Sequence, residues 1–183
     1  YRDEWFTPNE IDSRIISVQI WYPSIEKSDS LYPYLDYPEL RVEAIANQIN
    51  QPKNLVKPVT KVKGNSYYKA KPINKKFPLI LFSHGLGGYK TQNMIAIEAL
   101  VSKGYIVISA DHTYDANITV FEDGSYIDYS YNILDNVPKE NFWDVRIPQV
   151  NTRAADISFM IDKLQLMKNH PIYNSIDFNN IGV

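Results

Sequence analysis

Hydrophobic and polar positions fall into two kinds of pattern along this chain. Arg14–Tyr22 (RIISVQIWY) alternates, with Ile16, Val18, Ile20 and Tyr22 on one face and Ser17, Gln19 and Trp21 on the other. That period of two predicts a half-buried strand, closed by Pro23, of the kind found in an antiparallel edge region. Leu79–Phe82 and Tyr105–Ala110 are apolar almost throughout, which predicts strands covered on both faces. Asn179–Val183 reads as the start of another buried strand, following the turn-like Asp177-Phe178-Asn179-Asn180.

Three stretches carry a helical period instead. The first begins at Asp36-Tyr37-Pro38-Glu39, where Asp36 and Glu39 have capping-box spacing and Pro38 suits a first turn. Val42, Ile45, Ala46 and Ile49 form its apolar stripe, and Gln51-Pro52 ends it. The second starts near Thr91 and carries Met94, Ile97, Leu100 and Val101, with Gly104 where a left-handed cap belongs. The third is Asn151–Lys168, with Ala154, Ile157, Met160, Ile161, Leu164 and Met167. Arg153 and Asp156 are i, i+3 neighbours on its first turns, and Lys163 and Lys168 suit its C-terminal half. Between these elements, Tyr1–Asp12 reads as an arm, Ser24–Pro33 as a loop, and Lys53–Lys76 as a surface excursion. Thr113–Gln149 is long, aromatic and polar, with Asp123-Gly124 as a turn, and reads as a lid or pocket-wall insertion.

Two buried strands joined by a helix make a βαβ unit. Ligands in such sheets bind beyond the carboxyl ends of the strands. Ser83-His84-Gly85 and Asp111-His112 therefore belong on the functional rim. After the first of these strands come three glycines in four residues, Gly85, Gly87 and Gly88, out of seven in the chain. A glycine loop followed by a helix can form a cup of backbone donors suited to a phosphate or an oxyanion. It can equally be a plain strand-to-helix turn.

Composition adds bounds. At 183 residues, 44% hydrophobic, the chain is a globular domain with room for one core. A net charge of -2 gives no strong pull on nucleic acid or anionic membrane. Without cysteine there are no disulfides or thiolate metal sites. The compartment stays open, with a secreted or cell-envelope location favoured. No apolar run approaches the ~20 residues of a membrane span. The start at Tyr1 and the strand begun at the C-terminus lead us to expect one piece of a longer protein.

The candidate chemistry is sparse. His170 reads as a surface loop residue, His112 as a backbone-bonded strand-end histidine or a base, and His84 as a brace for the glycine loop. None has metal-ligand spacing. Ser83 beside His84 invites a nucleophile reading, but a serine nucleophile needs a sharp elbow between small residues, and Phe82 and His84 flank it. Gly85-Leu86-Gly87 followed by Asp111 also fits part of a dinucleotide fingerprint, although Lys90 fills the third glycine position.

Ser83-His84-Gly85-Leu86-Gly87-Gly88 after an apolar strand resembles the oxyanion-hole turn of α/β-hydrolases. Together with Ile20-Trp21-Tyr22-Pro23, Asp111-His112-Thr113-Tyr114-Asp115-Ala116, the Phe121-Glu122-Asp123-Gly124 turn and the Arg153-x-x-Asp156 helix, the chain resembles the platelet-activating factor acetylhydrolases of the plasma and isoform II type and their bacterial relatives. The resemblance implies an α/β-hydrolase fold: a mostly parallel central sheet with helices on both faces, antiparallel N-terminal strands, and a chain that stops before the nucleophile elbow. Residues 1–183 would be the N-terminal part of one domain, with 113–149 as its insertion. It implies a serine-dependent carboxylic ester hydrolase for short-acyl or phospholipid esters. The serine would come just after Val183, so this piece alone would be inactive. Within the chain, the Leu86 N–H and Gly85 would be catalytic, and His84, Gly87 and Tyr89 would contact substrate. Arg153 and Asp156 would tie the helix to the sheet. No cofactor or metal is implied. The partners would be a small ester or lipid, the rest of the same hydrolase, and weakly a membrane surface, with no nucleic acid. A dinucleotide-binding domain and a non-catalytic hydrolase-like binding domain stand as alternatives.

Overall fold

The computed structural model describes residues 13–129 and 137–183. The arm assigned to Tyr1–Asp12 and part of the 113–149 stretch lie outside them. A four-stranded sheet organises the described residues. Its strands are β1 (Ser17–Trp21), β4 (Phe77–Ser83), β5 (Ile106–Asp111) and β8 (Ile176–Gly182), in the order β1-β5-β4-β8. β4 pairs in parallel with both β5 and β8, and β1 pairs antiparallel with β5. The alternation in Arg14–Tyr22 and the unbroken apolar runs of β4 and β5 thus have one cause. β5 is buried along its whole length, whereas β1 stands at a sheet edge, with Val18 exposed and Trp21 buried.

Helices cover both faces. On one side α3 (Met94–Ser102) sets Ile97 against Trp21 and Val107. On the other, Met160 and Leu164 of a long helix pack on Leu79, Leu81, Ile106, Ile108 and Ile176. That helix is α4 in chain order (Phe142–Leu166) and starts nine residues before the predicted Asn151, with Pro148 inside it. Pro148 is the seventh residue of the helix, beyond the first turn, and so removes one intrahelical donor.

Three other expectations change. The helix α1 (Pro38–Gln48) has no side-chain cap, because the Asp36 carboxylate turns away from its N-terminus toward Arg41 and Lys90. Its buried face is Arg41, Val42, Ala44 and Ala46, with Ile49 exposed. The Ser24–Pro33 loop and the Lys53–Lys76 excursion hold regular structure: β2 (Leu31–Pro33) pairs with β3 (Lys63–Tyr67), and α2 (Lys53–Val56) precedes a 3-10 turn at Lys57–Lys61. The 113–149 stretch is not uniform. Its first part, β6 (Ile118–Val120), is buried against α1 through Ala44 and Leu40 and pairs with β7 (Tyr126–Asp128) across the predicted Asp123-Gly124 turn. Finally, the turn at Asp177–Asn180 interrupts β8 rather than preceding it. Pro78 faces Asp177 but Leu79 faces Ile181, and the Asp177 carboxylate accepts from the Asn179 N–H. Ile176 is buried, while Ile181 and Val183 are exposed at the sheet edge.

A buried ion tetrad links α1 to the carboxyl end of β5. Arg41 Nη2 lies 2.7 Å and Lys90 Nζ 3.0 Å from Asp111 Oδ2. Lys90 Nζ also reaches Asp36 at 2.7 Å, and Arg41 Nε donates to Asp36. Burial alone would raise the Asp36 carboxyl, but the two cations outweigh it and hold it below its ordinary value. Two charges of each sign cancel where none is solvated. Removing one leaves an uncompensated buried charge, which typically costs ~3–5 kcal/mol. Arg41→Leu is expected to lower the unfolding free energy by an amount of that order, read in equilibrium urea unfolding as a lower midpoint at unchanged denaturant dependence.

Candidate active site

The turn that follows β4 is held by its own carbonyls. The Gly85 oxygen accepts from the Gly88 N–H at 2.9 Å and from His84 Nδ1 at 2.6 Å. Arg153 Nη2 donates to the His84 carbonyl. Gln48 Nε2 donates to Gly87 O at 3.0 Å, and the Asn117 N–H to Gly88 O at 2.7 Å. Gly87 takes φ 66°, and a Cβ on Gly88 would lie 2.9 Å from Gly85 O, so both positions require glycine.

These bonds fix the Gly85–Leu86 peptide. It is trans, like every peptide among the described residues, so its N–H points opposite to its C=O. With the carbonyl turned into the loop, the Leu86 N–H faces outward and bonds to no described group. The Gly87 N–H, by contrast, is held by Asp115 O at 2.8 Å. α3 begins only at Met94, later than the predicted Thr91. Turns separate it from the glycines, so the donors of the cup belong to the turn and not to a helix N-terminus.

His84 is the brace. Its ring is 1% exposed and both nitrogens are engaged. The His112 N–H donates to Nε2 at 3.1 Å, which leaves the proton on Nδ1 for Gly85 O. Burial pushes its pKa down to about 4, so the ring is neutral at neutral pH. Tyr89, the other side chain assigned to substrate, is half-buried beside Leu35 and Val42, with its hydroxyl 3.1 Å from that of Tyr34. Leu86 is 42% exposed, and a Cβ on Gly85 would meet nothing within 4 Å.

Beneath the turn is an arrangement that sequence reading missed. His112 Nδ1 lies 2.8 Å from Asp156 Oδ2, and Ser83 Oγ lies 3.0 Å from His112 Nε2. Arg14 grips both Asp156 oxygens at 2.9 Å. Burial alone would raise Asp156, but the bonds from His112 and Arg14 outweigh it and hold the carboxyl low. Burial lowers His112, so its ring is a neutral donor to Asp156 and an acceptor from Ser83. The order is that of a catalytic triad, but the setting is not. Ser83 shares the face of Leu79 and Leu81, under α4, and no elbow presents it. Residues 112 and 156 are 44 apart in sequence, and only the fold brings them together. The i, i+3 spacing of Arg153 and Asp156 marked the helix face without showing that the two side chains take different partners.

Asp111, the acid a dinucleotide would need, is fully buried in the ion tetrad. Among the described residues no group of three metal-ligating side chains could hold a metal ion. A groove of about 840 Å³ runs along β1, lined by Trp21, Tyr32, Tyr67 and Glu98 among others, but none of Ser83–Tyr89 lines it.

The family model described as platelet-activating factor acetylhydrolase, isoform II, matches residues 5–178. The chain belongs to this family. A platelet-activating factor acetylhydrolase of Canis lupus familiaris is 29% identical, over 94% of this chain and 38% of the dog protein. A ferulic acid esterase from Streptomyces cinnamoneus superposes with a TM-score of 0.68 at 25% identity, over 92% of this chain and 43% of that one. The fold is that of the α/β-hydrolases. The chain spans less than half the length of either relative.

Asp115 is the exposed weakness of the site in energetic terms. Its carboxyl is buried, Oδ1 accepts from Gln149 Nε2, and Oδ2 has no partner among the described residues. Burial pushes its pKa up to about 6. A raised carboxyl stabilises the fold fully below its unfolded value near 4, and that contribution is lost as pH rises through 6. Asp115→Asn is expected to be more stable than the parent above pH 6, on the order of 2–3 kcal/mol, with the gap closing toward pH 4. Thermal unfolding across pH 4–8 measures it.

Proposed function

We propose that the full gene product is a serine-dependent carboxylic ester hydrolase and that this chain supplies the oxyanion half of its site. The observation that carries the reading is the outward Leu86 N–H, left unbonded by a turn in which the His84, Gly85, Gly87 and Gly88 carbonyls each take another donor. A serine supplied from beyond Val183 would attack the ester carbonyl. The resulting oxyanion would take a hydrogen bond from Leu86 N–H and a second from the residue after that serine. Gly85 supports this role: its side has open space and its φ lies outside the left-handed region, so its own conformation does not demand glycine. The bare backbone leaves room for a ligand. His84 and Gly87 position the donor, whereas Tyr89, which the resemblance set against substrate, packs with the Leu35 and Val42 cluster.

For substrate, the acetylhydrolase family supports a short acyl ester, on a phospholipid or on another alcohol, and the esterase neighbour supports a carboxylic ester in general. We assign the acyl-facing wall to the exposed apolar ridge of Trp143, Ile147 and Val150 on α4, which precedes the residues that reach under the turn. A weak membrane-surface contact through the same ridge is part of this proposal.

Hydrolysis of p-nitrophenyl acetate by the full gene product tests the donor. Leu86→Pro deletes the N–H and is expected to lower kcat by ~10²–10³, while Leu86→Ala keeps it and stays within about twofold. Equal rates for the two variants would remove Leu86 from the mechanism. His84 gives an independent measurement. Asn places a donor where Nδ1 sits and Gln places one where Nε2 sits. His84→Asn should therefore retain roughly tenfold more kcat than His84→Gln, the worth of one hydrogen bond.

A further inference from the structure

The buried Asp156–His112–Ser83 chain is unused by the chemistry above, and it ends on the turn. Each link is set by the one before it. Asp156 is an anion held by Arg14, so it accepts from His112 Nδ1. The proton on Nδ1 leaves Nε2 bare, and Nε2 accepts the Ser83 hydroxyl proton. With its own proton committed, Ser83 Oγ presents lone pairs to Arg153 Nη2 at 2.9 Å. The same Nη2 donates to the His84 carbonyl. The chain therefore runs from α4 through β5 and β4, back to α4, and finishes on the peptide before the one that carries the candidate donor.

We propose that this chain is a positioning relay for ester hydrolysis, in which Ser83 and His112 set the Arg153 guanidinium that holds the His84 carbonyl and thereby aims the Leu86 N–H. The inference rests on the role proposed for Leu86. It assigns to Ser83 no covalent step: the hydroxyl works as a two-sided coupler, donating to an imidazole and accepting from a guanidinium. Two features favour aim over mere adhesion. First, packing already joins α4 to the sheet through Met160 and Leu164, so the polar chain is not required for the contact. Second, Arg153 Nε is buried without a partner among the described residues. The guanidinium is placed for the His84 carbonyl at the expense of its own satisfaction. An arginine serving only as glue would gain by turning that donor toward an acceptor.

The test compares Ser83→Ala with Ser83→Thr, and His112→Leu with His112→Gln, in the full gene product. Threonine keeps the hydroxyl. Glutamine keeps an acceptor for Ser83 where Nε2 sits, whereas leucine keeps none. Initial rates with p-nitrophenyl acetate and the inhibition constant of a trifluoromethyl ketone, which forms a tetrahedral oxyanion, are read alongside thermal melts. Ser83→Ala and His112→Leu are expected to lower kcat about 10- to 100-fold and to weaken the ketone in proportion, with KM within about threefold, as misdirection of one oxyanion donor, short of its loss, requires. Threonine and glutamine are expected to restore most of both quantities. Parent-like kcat in Ser83→Ala overturns the relay. So does a Ser83→Thr protein that regains the parent's melting temperature without its kcat. Should the parent itself show neither turnover nor ketone binding, the hydrolase reading fails, and that result is distinct from an active parent whose variants are indifferent.

Discussion

Everything in this site depends on the capture of one carbonyl. Gly85 O is taken by the Gly88 N–H and by the His84 ring, and a planar trans peptide then has no freedom over where its N–H goes. Turning that peptide over would strip two hydrogen bonds from the carbonyl and bring an N–H against two donors. A buried polar group left without a partner costs ~1–3 kcal/mol, so the outward state is well favoured. Leu86 is 42% exposed, so an N–H left unbonded there costs less than in the core. Such a donor is fixed in direction before any charge develops, which is what makes a backbone amide effective at an oxyanion.

Two polar assemblies hold the turn from opposite sides. The Arg41–Lys90–Asp36–Asp111 tetrad lies on its C-terminal side, where the Lys90 N–H also donates to Asp111 at 2.7 Å. The Arg14–Asp156–His112–Ser83–Arg153 chain lies beneath its N-terminal side. They are joined by two adjacent residues at the end of β5, since Asp111 belongs to the first and His112 to the second. His112 also reaches the turn directly, because its backbone N–H fixes the tautomer of His84. Burial keeps both histidines neutral, so the donor–acceptor order through them does not vary with pH across the neutral range.

The sequence was most legible where local pattern and burial agree. β4, β5, α3 and the glycine turn are contiguous, strongly apolar or strongly marked, and they stand close to where the pattern put them. Asp36 failed as a cap for a different reason. Its spacing to Glu39 is a local signal, whereas Arg41 and Lys90 compete for the same carboxylate, and Lys90 arrives from 54 residues away. Neutralising two buried cations outweighs a cap worth ~1 kcal/mol. β6 was missed because three buried residues are too few to set a period. The triad-like chain had no local signal at all: its contacts span 29, 44 and 142 residues. His112 was visible as a strand-end histidine and Asp156 as the helix neighbour of Arg153, but nothing in the order of residues joins them.

Lys90 shows why the glycine loop binds in one manner and not another. A nucleotide-binding loop needs glycine at that position so that a helix can start against the strand and point its N-terminal N–H groups at a phosphate. Here the position holds a side chain with its amine between Asp36 and Asp111, and the helix begins only at Met94. The late start removes the dipole and the row of N–H groups from the cup. Among the donors the turn offers, the Leu86 N–H is the one proposed above for an oxygen that becomes charged only during reaction. The same lysine neutralises the acid that a ribose would have needed. Both features of Lys90 count against a dinucleotide at this loop and are compatible with the use proposed above.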